Sequence, residues 1–219
     1  MKKYLEILKK CPLFENIEEN DLLQVLKCLG ARIENFDKKY TVMSEGSPAK
    51  YLGVVISGSV QILQVDYYGN RSIVSVVGKH QIFGEAFFCA GIESMPLSVI
   101  ANEPSEIMLI DCNRILHTCS QGCDFHNQLI FNLMRDLAKK TIMFHRKLEI
   151  MSKRTTREKL MAYIMLCAKE NGRSSFDIPF NRQELADYLE VDRSGLSAEI
   201  GKLKKEGIID CNKNHFTIL

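Results

Sequence analysis

Two short amphipathic helical patterns, separated by three residues, fill Asn181 to Gly207 in NRQELADYLEVDRSGLSAEIGKLKKEG, and this stretch constrains the chain more than any other. Asn181 is a good N-cap, and Glu184 three residues on completes a capping box, so the first helix is expected from about Arg182 to Leu189. Asp192 caps the second. Leu185, Leu189, Val191, Leu196, Ile200 and Leu203 recur at helical spacing and form a small core holding the pair at an angle, with Ala186 small enough for close approach. The outward face then carries Arg193, Ser194, Gly195, Ser197, Ala198 and Lys202, with Arg182 and Gln183 at the head of the first helix. In a helix-turn-helix, that face is the one offered to a DNA major groove. A plain helical hairpin shows the same pattern, so context decides. Phe176 to Pro179 reads as a short strand just upstream, and Ile208 to Leu219 as two strands around a polar turn at Asn212, Lys213 and Asn214. Together these make a winged helix.

The N-terminal half has a different texture. Gly46, Gly53, Gly58, Gly69, Gly78, Gly84 and Gly91 fall mostly a strand and a turn apart, and between them lie YLGVVIS, SVQILQV and RSIVSVV. These β-branched runs, bounded by turn residues, favour a compact antiparallel roll, continued through Ser98 to Ala101 and Glu106 to Asp111. From about Asn127 to Met151 the chain turns free of Gly and Pro. There Ile130, Met134, Leu137, Thr141, Phe144, Leu148 and Met151 keep alternating four-and-three spacing, the heptad seam of a helix that pairs with a second copy of itself. Packing of this face on the chain's own roll is the competing reading, and Leu129, Leu133 and Met143 lie off the seam. A further helix is expected from about Arg157 to Lys169, with Thr156 as its cap.

The fold class is therefore α+β: an N-terminal antiparallel, jelly-roll-like β-roll (1–112), a long connecting and dimerisation helix (113–151) and a C-terminal winged helix-turn-helix (152–219). The net charge of +2 is small, but the whole surplus falls within 152–219. The N-terminus lacks a signal-peptide core and no run reaches membrane length, which points to a cytoplasmic protein without a membrane partner. Eight scattered cysteines give neither a zinc pattern nor a secreted disulfide framework; Cys119 and Cys123, four apart, make half a metal site at most. The five histidines are dispersed, so neither a metal centre nor an enzymatic histidine cluster is expected. His80 lies beside a strand, where a lone histidine is most simply a surface or hydrogen-bonded residue.

A glycine-rich roll, a long helix and a winged helix in that order resemble the Crp/Fnr family of bacterial transcription regulators over nearly the entire chain. LKKCPLFENIEENDLLQVL is similar to the family's helical lead-in, GVVISGSVQI to its strand-turn-strand, FGEAFFCAGIESMPLSVIA to the loop that cradles a cyclic phosphate, and NRQELADYLEVDRSGLSAEIGKLKKEGII to its helix-turn-helix. The resemblance implies a palindromic double-stranded DNA site, a homodimer, and RNA polymerase as a further partner.

Departures from the pattern carry the finer content. The Gly84-Glu85 pair is present, but the arginine that holds the phosphate in nucleotide-binding members is replaced by Leu97. A cyclic phosphate would lose its bidentate, charge-assisted partner, so cyclic AMP is not the expected effector, and no cofactor is implied. Phe87, Phe88, Met95, Leu97 and Ser98, joined by Ile142 and Met143 of the long helix, would line the pocket around Gly84 and Glu85. They suit an apolar or aromatic small molecule, or else simply fill a core. The cysteine cluster of oxygen-sensing members is absent, and likeness to haem-sensing members would make His80, near the pocket loop, an iron ligand. On the DNA side Arg193 matches a frequent arginine of the family, whereas Ser194 replaces a common Glu or Pro and Ala198 a common Arg. The sequence thus predicts a non-enzymatic, effector- or redox-responsive DNA-binding regulator. A rival reading is a small-molecule-binding roll whose C-terminal domain is a protein-interaction module.

Overall fold

The computed structural model describes residues 4–116 and 124–219, and it resolves into two compact units. One comprises Met1–Val65 and Val74–Lys140, the other Asp66–Ile73 and Thr141–Leu219. The division falls inside the long helix, between Lys140 and Thr141, and each unit is described separately.

The first unit opens with helix α1 (Leu5–Leu8), a 3-10 turn (Pro12–Phe14) and α2 (Glu19–Cys28). Eight strands follow: β1 (Arg32–Phe36), β2 (Thr41–Met43), β3 (Tyr51–Ser57), β4 (Val60–Val65), β5 (Arg71–Val77), β6 (Ile82–Phe83), β7 (Ser98–Ala101) and β8 (Ser105–Asp111). Helix α3 (Glu85–Cys89) interrupts them after β6, and α4 (Asn113–Leu116) and α5 (Asp124–Met151) complete the run. Two four-stranded sheets result, ordered β1-β8-β3-β6 and β2-β7-β4-β5, antiparallel at each of the pairings β1·β8, β3·β8, β3·β6, β2·β7 and β4·β7.

Strands β3 and β8 lie centrally in the first sheet, and their apolar residues divide by alternation. Leu52, Val54, Ile56, Met108 and Ile110 face a core shared with α1, α2, Leu129 and Leu133. Val55, Ile107 and Leu109 face the opposite way, into a core with Val60, Val77, Phe83 and Val99. Burial on both faces explains why these segments read as continuous apolar runs. Gly53 is obligatory here: a Cβ would lie 2.2 Å from the Phe83 ring.

The winged helix comprises α6 (Thr156–Asn171), β9 (Ser175–Asp177), α7 (Arg182–Leu189), α8 (Arg193–Lys205), β10 (Ile209–Asn212) and β11 (His215–Ile218), with the strands ordered β10-β11-β9. The expected extents of α7 and of the wing strands are reproduced closely. The cap of α6 needs correction from Thr156 to Thr155. The Thr155 side chain accepts from the Glu158 amide, and the Glu158 carboxylate accepts from the Thr155 amide, so the capping box sits one residue earlier and Thr156 is already helical. Leu160, Ile164, Leu185, Leu189, Leu196, Leu203 and Phe216 are buried, and Tyr163, Phe180 and Tyr188 form an aromatic cluster with centroids 4.7–6.1 Å apart.

The Asp66–Ile73 turn belongs to this second unit. Ser72 donates to Glu190 Oε1 at 3.1 Å, and Lys147 donates to the Ile73 carbonyl while lying 4.2 Å from the Tyr188 ring centroid. Burial draws the Lys147 ammonium down to about 8.

Candidate functional site

The turn between α7 and α8 is fixed by backbone and caps together. The Asn181 side chain accepts from the amides of Gln183 (2.9 Å) and Glu184 (3.0 Å), while Glu184 accepts from the Asn181 amide at 2.8 Å. Glu190 then closes α7 in a left-handed conformation, φ 51°, which turns the chain within three residues. Asp192 caps α8, accepting from the Gly195 amide at 2.8 Å and from the Ser194 hydroxyl. Those two donors hold the Asp192 carboxyl below the usual carboxylate range, so the cap stays ionised. Ser194 is thus partly committed to the cap.

The outward face of α8 is as expected: Arg193, Ser194, Gly195, Ser197, Ala198 and Lys202 are all exposed, while Leu196, Ile200 and Leu203 point inward. Its cations are not equivalent. Lys202 pairs with Glu199 at 3.2 Å, and Lys204 bonds the Cys211 carbonyl at 2.8 Å and Asp210 at 2.9 Å, pinning the wing. Among the described residues Arg193 has no ion-pair partner and stands open at the helix N-terminus. Arg182 departs from its expected place on this surface. Its guanidinium is half-buried, reaching Cys211 Sγ at 3.3 Å and lying over the Phe216 ring at 5.9 Å, so it braces the wing. Gln183 remains exposed, its amide tied to Asp187 Oδ1 at 2.8 Å.

On the sensor loop, Gly84 has φ 86°, and a Cβ there would lie 2.8 Å from the Tyr51 carbonyl oxygen, so only glycine turns the chain from β6 into α3. Glu85 is buried and bonds Lys140 of α5 at 2.6 Å. The apolar residues expected to line one pocket are dispersed. Met95 is buried, and Phe87 packs against the same inter-sheet core, whereas Phe88 packs against the helix-side core. Ser98 is half-buried, its hydroxyl accepting from the Glu45 amide at 3.2 Å, and Leu97 is half-buried. Ile142 and Met143 are exposed on α5. Backbone bonds from Gly46 to Met95 and from Met95 to Ser47, both 2.8 Å, lace the loop to the chain before β3.

Along α5 the expected seam separates only in part from the face packed on the first unit's core, since Leu137 packs against that core with Leu129 and Leu133. Met134, Thr141, Phe144 and Leu148 are exposed, with Met134 and Leu148 at 57% and 67%; Ile130, Leu137 and Met151 are half-buried. Leu129 and Leu133 are buried in the core. Residues the apolar pattern passed over prove structural. Asn132 is fully buried and donates to the carbonyls of Leu13 (3.0 Å) and Glu15 (2.8 Å), and Asp136 and Lys140 continue the same stripe. Their signal was spacing: three polar residues four apart on a helix that buries its neighbours.

His80 hydrogen-bonds the Ile7 carbonyl through Nδ1 at 3.0 Å. Burial pushes the thiols of Cys11 and Cys112 up to about 12, which keeps them protonated and poorly nucleophilic. Cys119, Cys123 and His117 lie outside the described residues. Among the described residues no three His, Cys, Asp or Glu side chains converge as a metal site requires, and no helix is long and apolar enough to cross a membrane.

Comparison with known proteins adds two family matches. A cyclic nucleotide-binding domain matches residues 33–121, and a Crp-like helix-turn-helix domain matches 158–219, so that together they span most of the chain. The Global nitrogen regulator of Synechocystis is 19% identical, with 92% of each chain covered. The Anaerobic regulatory protein of Bacillus subtilis is 20% identical, covering 98% of this chain and 90% of its own. Among solved structures, the c-di-GMP responsive global regulator CLP of Xanthomonas campestris superposes with a TM-score of 0.73 at 18% identity, covering 90% of this chain and 98% of that one.

Proposed function

Because this chain belongs to the Crp/Fnr family of DNA-binding transcription regulators, we propose that it acts as a homodimer whose two α8 helices read the half-sites of a palindromic operator about one DNA turn apart. The observation that carries this reading is the exposed Arg193 at the head of a capped α8, without an ion-pair partner among the described residues and beside the short side chains of Ser194, Ser197 and Ala198. The seam along α5 supplies the second copy. Selection from a random duplex library should enrich a twofold-symmetric sequence, and affinity for it should fall steeply between low and moderate salt, as phosphate contacts release counterions. A protein that enriches nothing, or binds without salt dependence, does not have this function.

We propose further that the β-roll does not answer to cyclic AMP. Leu97 offers no charge to a phosphate, and Glu85 is already engaged by Lys140. Millimolar cyclic AMP is therefore expected to leave the melting temperature and the duplex affinity unchanged. Binding at 100 times the dissociation constant stabilises by about 2.7 kcal/mol, and each kcal/mol raises melting by about 2–4 °C in a chain of this size, so a clear upward shift would refute the exclusion.

A further inference from the structure

Polar groups that DNA reading leaves unexplained meet beneath the sensor loop. Lys140 Nζ donates to Glu85 Oε1 at 2.6 Å and to the Ile82 carbonyl at 2.7 Å, and lies 3.0 Å from Asp136 Oδ2. The three side chains are 25%, 3% and 14% exposed for Lys140, Glu85 and Asp136. One ammonium thus faces two carboxylates. Glu85 Oε2 and Asp136 Oδ2 are buried without a hydrogen-bond partner, so Asp136 meets the ammonium as an ion pair and not through a directed hydrogen bond. The cluster depends on a single cation. Without it two poorly hydrated carboxylates would confront each other, and one would have to take up a proton or move away.

The placement of these groups gives the cluster a mechanical role. Ile82 lies in the last strand before the turn at Gly84, and Glu85 is the first residue of α3 after it, so Lys140 holds both sides of the loop's entry at once. Asp136 stands one turn back along α5, and Asn132, a turn further, is bonded to the Leu13 and Glu15 carbonyls. One polar stripe is stitched to the N-terminal segment at one end and to the sensor loop at the other. A shift of the loop must drag Lys140, and with it the helix.

We propose that Lys140 is a positioning residue, the joint through which the sensor loop sets the long helix. Its DNA consequence rests on the regulator reading above; its structural consequence does not.

Amide hydrogen exchange of the full chain tests the joint in wild type, K140M, K140R, E85Q and K140M/E85Q. K140M and E85Q should each speed exchange at least tenfold both in the 82–90 loop and along α5. K140R should restore near-native protection, and the double variant should exchange no faster than either single. On the selected duplex, K140M should bind at least tenfold more weakly. Changes confined to the substituted segment, or additive in the double variant, would overturn the joint, as would duplex affinity within twofold of wild type. If K140M does not fold, the nearly isosteric E85Q decides alone. If wild type enriches no duplex, the regulator reading fails while exchange still judges the joint.

Discussion

Leu148→Glu should convert the protein from dimer to monomer at micromolar concentration without unfolding it. Leu148 is 67% exposed in the single chain, so a carboxylate there meets water and leaves each unit's core intact. In a twofold seam it would instead be buried against its mate. Burying a leucine stabilises by about 1.5–3 kcal/mol, and a symmetric contact counts it twice, so losing both raises the dissociation constant by roughly 10²–10⁴. The desolvation of two facing carboxylates adds to this. Duplex affinity should fall with dimerisation, since a lone α8 grips only one half-site. Leu133→Glu provides the contrast: Leu133 is buried in the first unit's core, and its replacement should lower the melting temperature sharply. Native mass spectrometry of folded L148E decides, and a persistent dimer would place the partner contact elsewhere.

That contrast shows what the amino-acid pattern could and could not convey. The four-and-three spacing separated Met134 and Leu148 from Leu129 and Leu133, because helical geometry alone sends the two sets to different faces. Strands β3, β4, β5 and β7 were legible from β-branched runs between turn residues. Strands β1, β2 and β6 were not: RIENF carries three polar residues at a sheet edge, and β2 and β6 are three and two residues long. What they form is dictated by their partners, β8, β7 and β3.

The site divides along the same line. The cap at Asp192 and the open face of α8 are local, so sequence spacing revealed them. The direction taken by Arg182 depends on Cys211 and Phe216, which the wing brings back from about 30 residues downstream. The Glu85–Lys140 pair joins residues 55 apart, and an apolar periodicity has no means of pairing a lysine with an acid in a distant loop. The surroundings of the expected pocket residues were illegible for a related reason. Phe87 and Phe88 are adjacent, yet they pack against different cores.

Arg193→Ala should weaken binding to the selected duplex by at least about 30-fold and relax preference at one base pair in each half-site. A bidentate arginine–guanine contact is worth about 1–3 kcal/mol of discrimination, and a symmetric complex makes it twice. The exposed guanidinium has no protein partner to abandon among the described residues, so its loss should barely affect the melting temperature. Two neighbours show what the other roles look like. Lys202→Ala should weaken binding to all sequences alike and make the salt dependence shallower, as expected of a phosphate contact, because its ammonium is shared with Glu199. Arg182→Ala should lower the melting temperature while leaving base preference intact, because its guanidinium lies over Phe216 and against Cys211. Repeating the duplex selection with each variant separates the three. If R193A selects the wild-type sequence with wild-type affinity, Ser194, Ser197 and Ala198 would have to supply the base contacts, and the open guanidinium would not be the reader.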